Sequence, residues 1–139
     1  MATVYGNNFT NITATPAVNA DSGQWSGKLR VQYDSYEASS LADASTISVA
    51  RLPKGAVVYE VIVHHDALGA GVTLAVGDSS DADRYITATA AATAGKIVMS
   101  EDGAIDGFGY EQTAETDIII TNANAATGSI KVAVFYSVE

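Results

Sequence analysis

The side chains best able to do chemistry in this chain of 139 residues fall in three places. The first is His64-His65-Asp66, two imidazoles and a carboxylate of the kind that bind zinc or a similar metal. Adjacent residues on a strand point to opposite faces, so the two rings cannot readily meet one ion. His64 and Asp66 have the better spacing but fall where a strand would end, so the expectation is one partly buried and one exposed histidine. The second place is Gly77-Asp78-Ser79-Ser80-Asp81-Ala82-Asp83. Its three carboxylates offer hard oxygens to Ca²⁺, but the run lacks the alternate spacing and closing Glu of an EF-hand. Asp and Ser also fold turns by bonding their own backbone, and Arg84 follows as a ready ion-pair partner. Whether the Asp78 to Asp83 loop takes an ion stays open at this point. The third place is the carboxylate group Glu101, Asp102, Asp106, Glu111, Glu115 and Asp117.

Hydrolytic chemistry makes demands that these clusters do not meet. Gly77-Asp78-Ser79 matches the tripeptide of GDSL-type hydrolases, but a nucleophilic Ser needs a His base. In those enzymes the His comes late in the chain, whereas both histidines here precede Ser79. Glycoside hydrolysis needs two carboxylates in contrasting environments. The late carboxylates fall instead among Gly103, Gly107 and Gly109, in what reads as a long solvated loop. Phe108 and Tyr110 in that stretch make carbohydrate binding the alternative use for it. Gly69-Ala70-Gly71 precedes no helix and reads as a turn, not a phosphate loop. No catalytic, cofactor-binding or metal-binding residue is assigned, and the expectation is a protein that is not an enzyme.

Composition narrows the partners. The net charge is −9 and only seven residues are basic, too few for the phosphate-neutralising stripe on which nucleic-acid affinity depends. An acidic surface is also repelled by anionic membranes, and no window reaches the roughly 18 apolar residues of a membrane span. Met1 to Thr10 is polar and lacks the basic-then-apolar order of a secretion signal. A protein made and folded in a cytoplasm is expected, with Asn8 and Asn11 unglycosylated. There is no cysteine, so stability must come from packing, hydrogen bonds or assembly.

The elements that would hold these residues are strands. Residues 1–26 are rich in Asn, Thr, Ala and Ser without sustained periodicity, and read as an extended N-terminal arm ending near Trp25. Residues 27–139 read as one domain. Lys28 to Tyr33 alternates, with Leu29, Val31 and Tyr33 as the face expected to be half-buried. Thr46 to Leu52 follows, then the turn Pro53-Lys54-Gly55, then Ala56 to His65, β-branched and apolar enough for a central strand. Thr73 to Val76, Arg84 to Thr89, Lys96 to Ser100, Asp117 to Thr121 and Ser129 to Val138 complete about eight strands. Ser39 to Ala44 and Ala88 to Ala94 are Ala-rich but too short for more than a helical turn. The spacing predicts an all-β protein, an antiparallel β-sandwich of jelly-roll type carrying an extended N-terminal arm. An immunoglobulin-like order would produce the same pattern.

Several phrases carry a family resemblance together. They are Met1-Ala2-Thr3-Val4-Tyr5-Gly6-Asn7-Asn8, Gly27-Lys28-Leu29-Arg30-Val31, Asp34-Ser35-Tyr36-Glu37-Ala38 and Arg51-Leu52-Pro53-Lys54-Gly55-Ala56. His65-Asp66-Ala67-Leu68-Gly69 and Leu74-Ala75-Val76-Gly77-Asp78-Ser79, leading to Asp83-Arg84-Tyr85, continue the series. In this order the chain resembles small virion structural proteins of tailed bacteriophages, most strongly from Gly27 to Thr89. The resemblance implies a particle component with no catalytic residue and no cofactor. Its implied place is the capsid surface, as a decoration or cement protein whose partners are the major capsid protein and its own copies in a homotrimer. A head-fibre base or a tail- or fibre-associated receptor- or carbohydrate-binding module is the alternative.

Overall fold

A computed structural model describes residues 2–19, 24–102 and 105–138. Eight strands build the fold. They are β1 (Arg30–Leu41), β2 (Thr46–Leu52), β3 (Val57–His65), β4 (Thr73–Gly77), β5 (Ile86–Ala90), β6 (Gly95–Val98), β7 (Thr116–Ala123) and β8 (Ala126–Ser137). All pairings are antiparallel, in one sheet of order β1-β8-β3-β6 and another of order β2-β7-β4-β5. The chain is therefore an all-β sandwich. Its connectivity nests the strands, first with last: β1 pairs β8, β2 pairs β7, β3 pairs β6 and β4 pairs β5.

The core forms where the two sheets face each other. Leu52, Val58, Val61, Val63, Leu74, Val76, Tyr85, Ile86, Ile118, Ile120, Ile130, Val132 and Val134 are all buried there. β8 shows the physical rule most clearly: Ile130, Val132, Val134 and Tyr136 point inward, whereas Lys131, Ala133 and Phe135 point out. β3 is central, lying between β8 and β6, as its β-branched run predicts.

Three expectations need correction. The first concerns β1, which begins at Arg30 and extends to Leu41. Its alternation is real but inverted. Val31 pairs with Phe135 and Tyr33 with Ala133, which places them on the outer face, 55% and 63% exposed. Leu29, just before the strand, is also exposed. Alternation fixes which residues share a face, whereas pairing with β8 decides which face meets the core.

The second concerns the arm, which is not wholly extended. Asn7–Thr13 forms a seven-residue helix, α1, opened by the Thr10 N–H donating to Gly6 O at 2.9 Å. The Thr13 hydroxyl turns back onto Phe9 O at 2.7 Å, and Pro16 could not continue the helix. Seven residues are too few for a helical period to show in sequence. The third concerns Lys96 to Ser100, where the strand stops at Val98 and a single turn, α2 (Met99–Asp102), follows. The Glu60 carboxylate of β3 draws the chain into that turn by accepting the Ser100 N–H at 3.1 Å. The Ala-rich stretch from Ala88 contributes its first residues to β5.

Candidate assembly surface

The Asp-rich loop closes on itself. Asp78 is buried, and its Oδ1 accepts from Ser80 N at 3.0 Å, Ser80 Oγ at 2.8 Å and Asp81 N at 3.0 Å. Its Oδ2 accepts from Arg84 Nε at 2.7 Å. Burial pushes this carboxyl up, but the bonds from Arg84 and Ser80 outweigh it and hold Asp78 below the usual carboxylate range. The guanidinium of Arg84 also lies 3.9 Å from the centre of the Tyr110 ring. Next to it, the buried Tyr85 hydroxyl accepts from the Gln112 amide, and burial pushes the phenol pKa well up. Gln112 is itself tied into the backbone, donating to Ala56 O and accepting from Gly55 N, both at 2.8 Å. The ion pair closes the loop after β4 on itself, and the Arg84–Tyr110 stacking and the buried phenol of Tyr85 pin that loop to the segment before β7.

The other clusters named from sequence come together less. His65 is buried with Nδ1 2.8 Å from Asp66 O, whereas His64 is exposed on the opposite face, as strand alternation requires. Asp66 Oδ2 accepts the Ser129 N–H at 3.0 Å. Of the late carboxylates, Asp117 forms a two-bond pair with Arg51, at 2.6 and 3.1 Å. Asp102 accepts from Thr87, and Glu101 lies 3.9 Å from Lys96. Among the described residues, no three His, Cys, Asp or Glu side chains are placed to hold one metal ion. Phe108 is exposed and meets Tyr59 edge-on at 6.0 Å. Tyr110 has the Arg84 guanidinium over its ring.

The surface that stands out is the outer face of the β1-β8-β3-β6 sheet. Register aligns Tyr33 with Ala133, Ala133 with Ile62, and Ile62 with Val98. This makes one apolar row across all four strands. Val31 and Phe135 extend it on one side. On the other side the same alignment runs Ser35, Lys131, His64, Lys96, a row holding two of the chain's seven Lys and Arg residues. The outer face of the other sheet differs, with Thr46 opposite Thr121, Thr121 opposite Ala75, and the Arg51–Asp117 pair. Sequence reasoning found the apolar residues of β1 but assigned them to the core. The row across four strands needs the register and has no signal in a linear string.

β1 and β2 are edge strands at the same side of the sandwich, and between them opens a cleft of about 610 Å³. The Gln32 side chain spans it, donating to Arg51 O at 2.8 Å and accepting from Arg51 N at 3.0 Å, as a neighbouring strand would. It also donates to the Tyr136 hydroxyl at 3.1 Å. Gln32→Ala should lower stability by about 1–2 kcal/mol, seen as a fall of about 3–8 °C in the thermal midpoint. A change under about 1 °C would mean that Gln32 does not clamp the two edges.

The chain is thus a two-layer β-sandwich with an apolar row on the outer face of one sheet. No family model and no curated protein matches the chain. Solved structures do match. A chain of the cyanophage Pam1 capsid asymmetric unit is 32% identical, with a TM-score of 0.68 over 81% of this chain and 86% of that one. A chain of the capsid of Ralstonia phage GP4 is 19% identical, with a TM-score of 0.66 over 81% and 86% of the two chains. A third, from the acidic stable capsid structure of Helicobacter pylori bacteriophage KHP30, is 14% identical with a TM-score of 0.57 over 79% and 87%. The last two speak to the fold alone. The chain belongs to the family of small phage virion structural proteins represented in the Pam1 capsid. Among the described residues, no helix is long and apolar enough to cross a membrane.

Proposed function

We propose that the protein is a capsid decoration, or cement, protein. It binds the outer capsid surface, holds neighbouring capsomers together and is not an enzyme. Its partners are the major capsid protein and its own copies, in a homotrimer, on virions assembled in the host cytoplasm. Residues 27–139 form the body and residues 1–26 the arm. The nested strand order fits a jelly-roll plan, in which rigid paired strands leave faces and edges free for contact. The observation that carries the reading is the outward apolar row of Tyr33, Ala133, Ile62 and Val98, in a chain similar to one of the Pam1 capsid. A solvated sheet face ordinarily alternates to polar side chains, and an outward apolar face marks a surface that another molecule covers.

The test uses phage capsids prepared without this protein. Purified protein added back should bind at a fixed number of copies per capsid and raise the temperature at which the shell opens, by light scattering and electron microscopy. No binding at micromolar concentration would overturn the reading.

A further inference from the structure

We infer that the outer face of the β1-β8-β3-β6 sheet is the seat of the N-terminal arm of a second copy of this chain. The inference rests on the decoration reading in one respect, that copies of the chain meet in a closed assembly. The face offers a row of apolar side chains with Val31 and Tyr33 more than half exposed at its β1 end. The arm offers the matching half. Val4 is 85% exposed, Tyr5 63%, Phe9 42% and Val18 54%, and α1 buries none of its residues. Tyr5 and Phe9 are already stacked, with centroids 5.4 Å apart and planes at 14°, so they form one preset aromatic pair. Within one copy Val31 and Tyr33 stay more than half exposed while Phe135, Ala133, Ile62 and Val98 are half-buried, so the β1 end of the face and the apolar side chains of the arm are open to a second copy.

Charge selects a second copy as the occupant. A chain of net charge −9 repels its own kind, and two bodies can touch only where that repulsion is least. Residues 2–19 contain no Asp, Glu, Lys or Arg, so the arm approaches another copy without Coulomb cost. The receiving face carries Lys131, His64 and Lys96 on one side of its apolar row, with Glu60 opposite Phe135 and Glu37 opposite Ser129 at its margins. Reach requires the exposed hydrogen bonds from Asn8 to Gln24 (3.3 Å) and from Gln24 to Glu111 (3.4 Å) to open. With α1 kept, the chain from Thr13 to Gln24 then spans up to roughly 35 Å when extended, comparable with a body roughly 35 Å across for this length. An arm given and a face received at every copy is a head-to-tail contact, which closes into a ring when the rotation permits.

The absence of cysteine makes the test direct. Phe9→Cys and Tyr33→Cys are purified separately, mixed and mildly oxidised, so a mixed disulfide reports contact between copies. It should form at least tenfold faster than between Phe9→Cys and Thr46→Cys, which lies on the other sheet. By light scattering, deletion of residues 2–19 and the single change Tyr33→Glu should each weaken self-association at least tenfold, with circular dichroism unchanged. Tyr33 is exposed, so its replacement tests the contact without disturbing the core. A mixed disulfide no faster than the control overturns the inference, as does a full chain that stays monomeric throughout. Adding the same proteins to capsids separates the two readings. Capsid binding without the mixed disulfide removes the arm's seat and leaves the decoration role. The mixed disulfide without capsid binding does the reverse.

Discussion

Arg84→Ala should lower the unfolding free energy by about 3–5 kcal/mol, because it strands a carboxylate inside the protein. Asp78 is only 2% exposed, and Arg84, itself 12% exposed, is the positive group that answers its charge. The substitution also uncovers the Tyr110 ring. Adding Asp78→Asn to Arg84→Ala removes the stranded charge and should recover more than half of the loss. Urea titrations of the wild-type protein, the single variant and the double variant measure both effects. A loss under about 1 kcal/mol for Arg84→Ala would sink the idea that this pair pins the loop. The pair also has a pH signature. The folded-state pKa of Asp78 is depressed, so its contribution is present above the unfolded value near 4 and is lost as pH falls through the folded value. The stability advantage of the wild-type protein over Asp78→Asn should therefore hold from about pH 7 to 5 and shrink below about pH 4. An advantage that grows on acidification would contradict the assignment.

Gly77→Ala should be nearly as damaging, for a steric reason. A methyl group at Gly77 would sit 2.1 Å from Asp81 O and 2.3 Å from the Ala82 carbonyl carbon. Both are backbone atoms of the loop that the Asp78 N–H closes onto Asp81 O at 2.9 Å, so no side chain can swing aside. The last residue of β4 or the whole turn must move, at a cost of about 3 kcal/mol or more. That corresponds to a fall of about 10 °C or more in the thermal midpoint. Gly55→Ala supplies the contrast. Gly55 has φ of +86° but open space around its Cα, so alanine there costs about 1 kcal/mol of backbone strain. Equal midpoints for the two variants would mean that the loop does not press on Gly77 as the geometry requires.

Both predictions concern a loop that was half legible in the sequence. Asp and Ser at that density announce a turn, and Arg84 was named as a partner from its position alone. That Asp78, not Asp81 or Asp83, is the buried carboxylate follows from Gly77 ending β4 inside the sandwich. Gly107 shows the same dependence on the third dimension. Its Cβ would meet Arg84 O at 2.3 Å, a neighbour more than twenty positions away, so its glycine reads in the string only as part of a flexible loop.

By itself the sequence determined the strands, because a half-buried or buried strand must write its period into the choice of side chains. Each of the eight expected strands lies at or overlaps one in the fold. It also determined the acidic, cysteine-free composition that makes nucleic-acid binding and disulfide bracing poor readings. Only the tertiary structure decided which way β1 faces. Val31 and Tyr33 alternate as a core face would, but a period of two says only that they share a side, and register with β8 turns that side outward. The same pairing gathers Tyr33, Ala133, Ile62 and Val98, from four separate strands, into one row. Local chemistry fixes what a strand is, and long-range hydrogen bonding fixes what it shows to a partner.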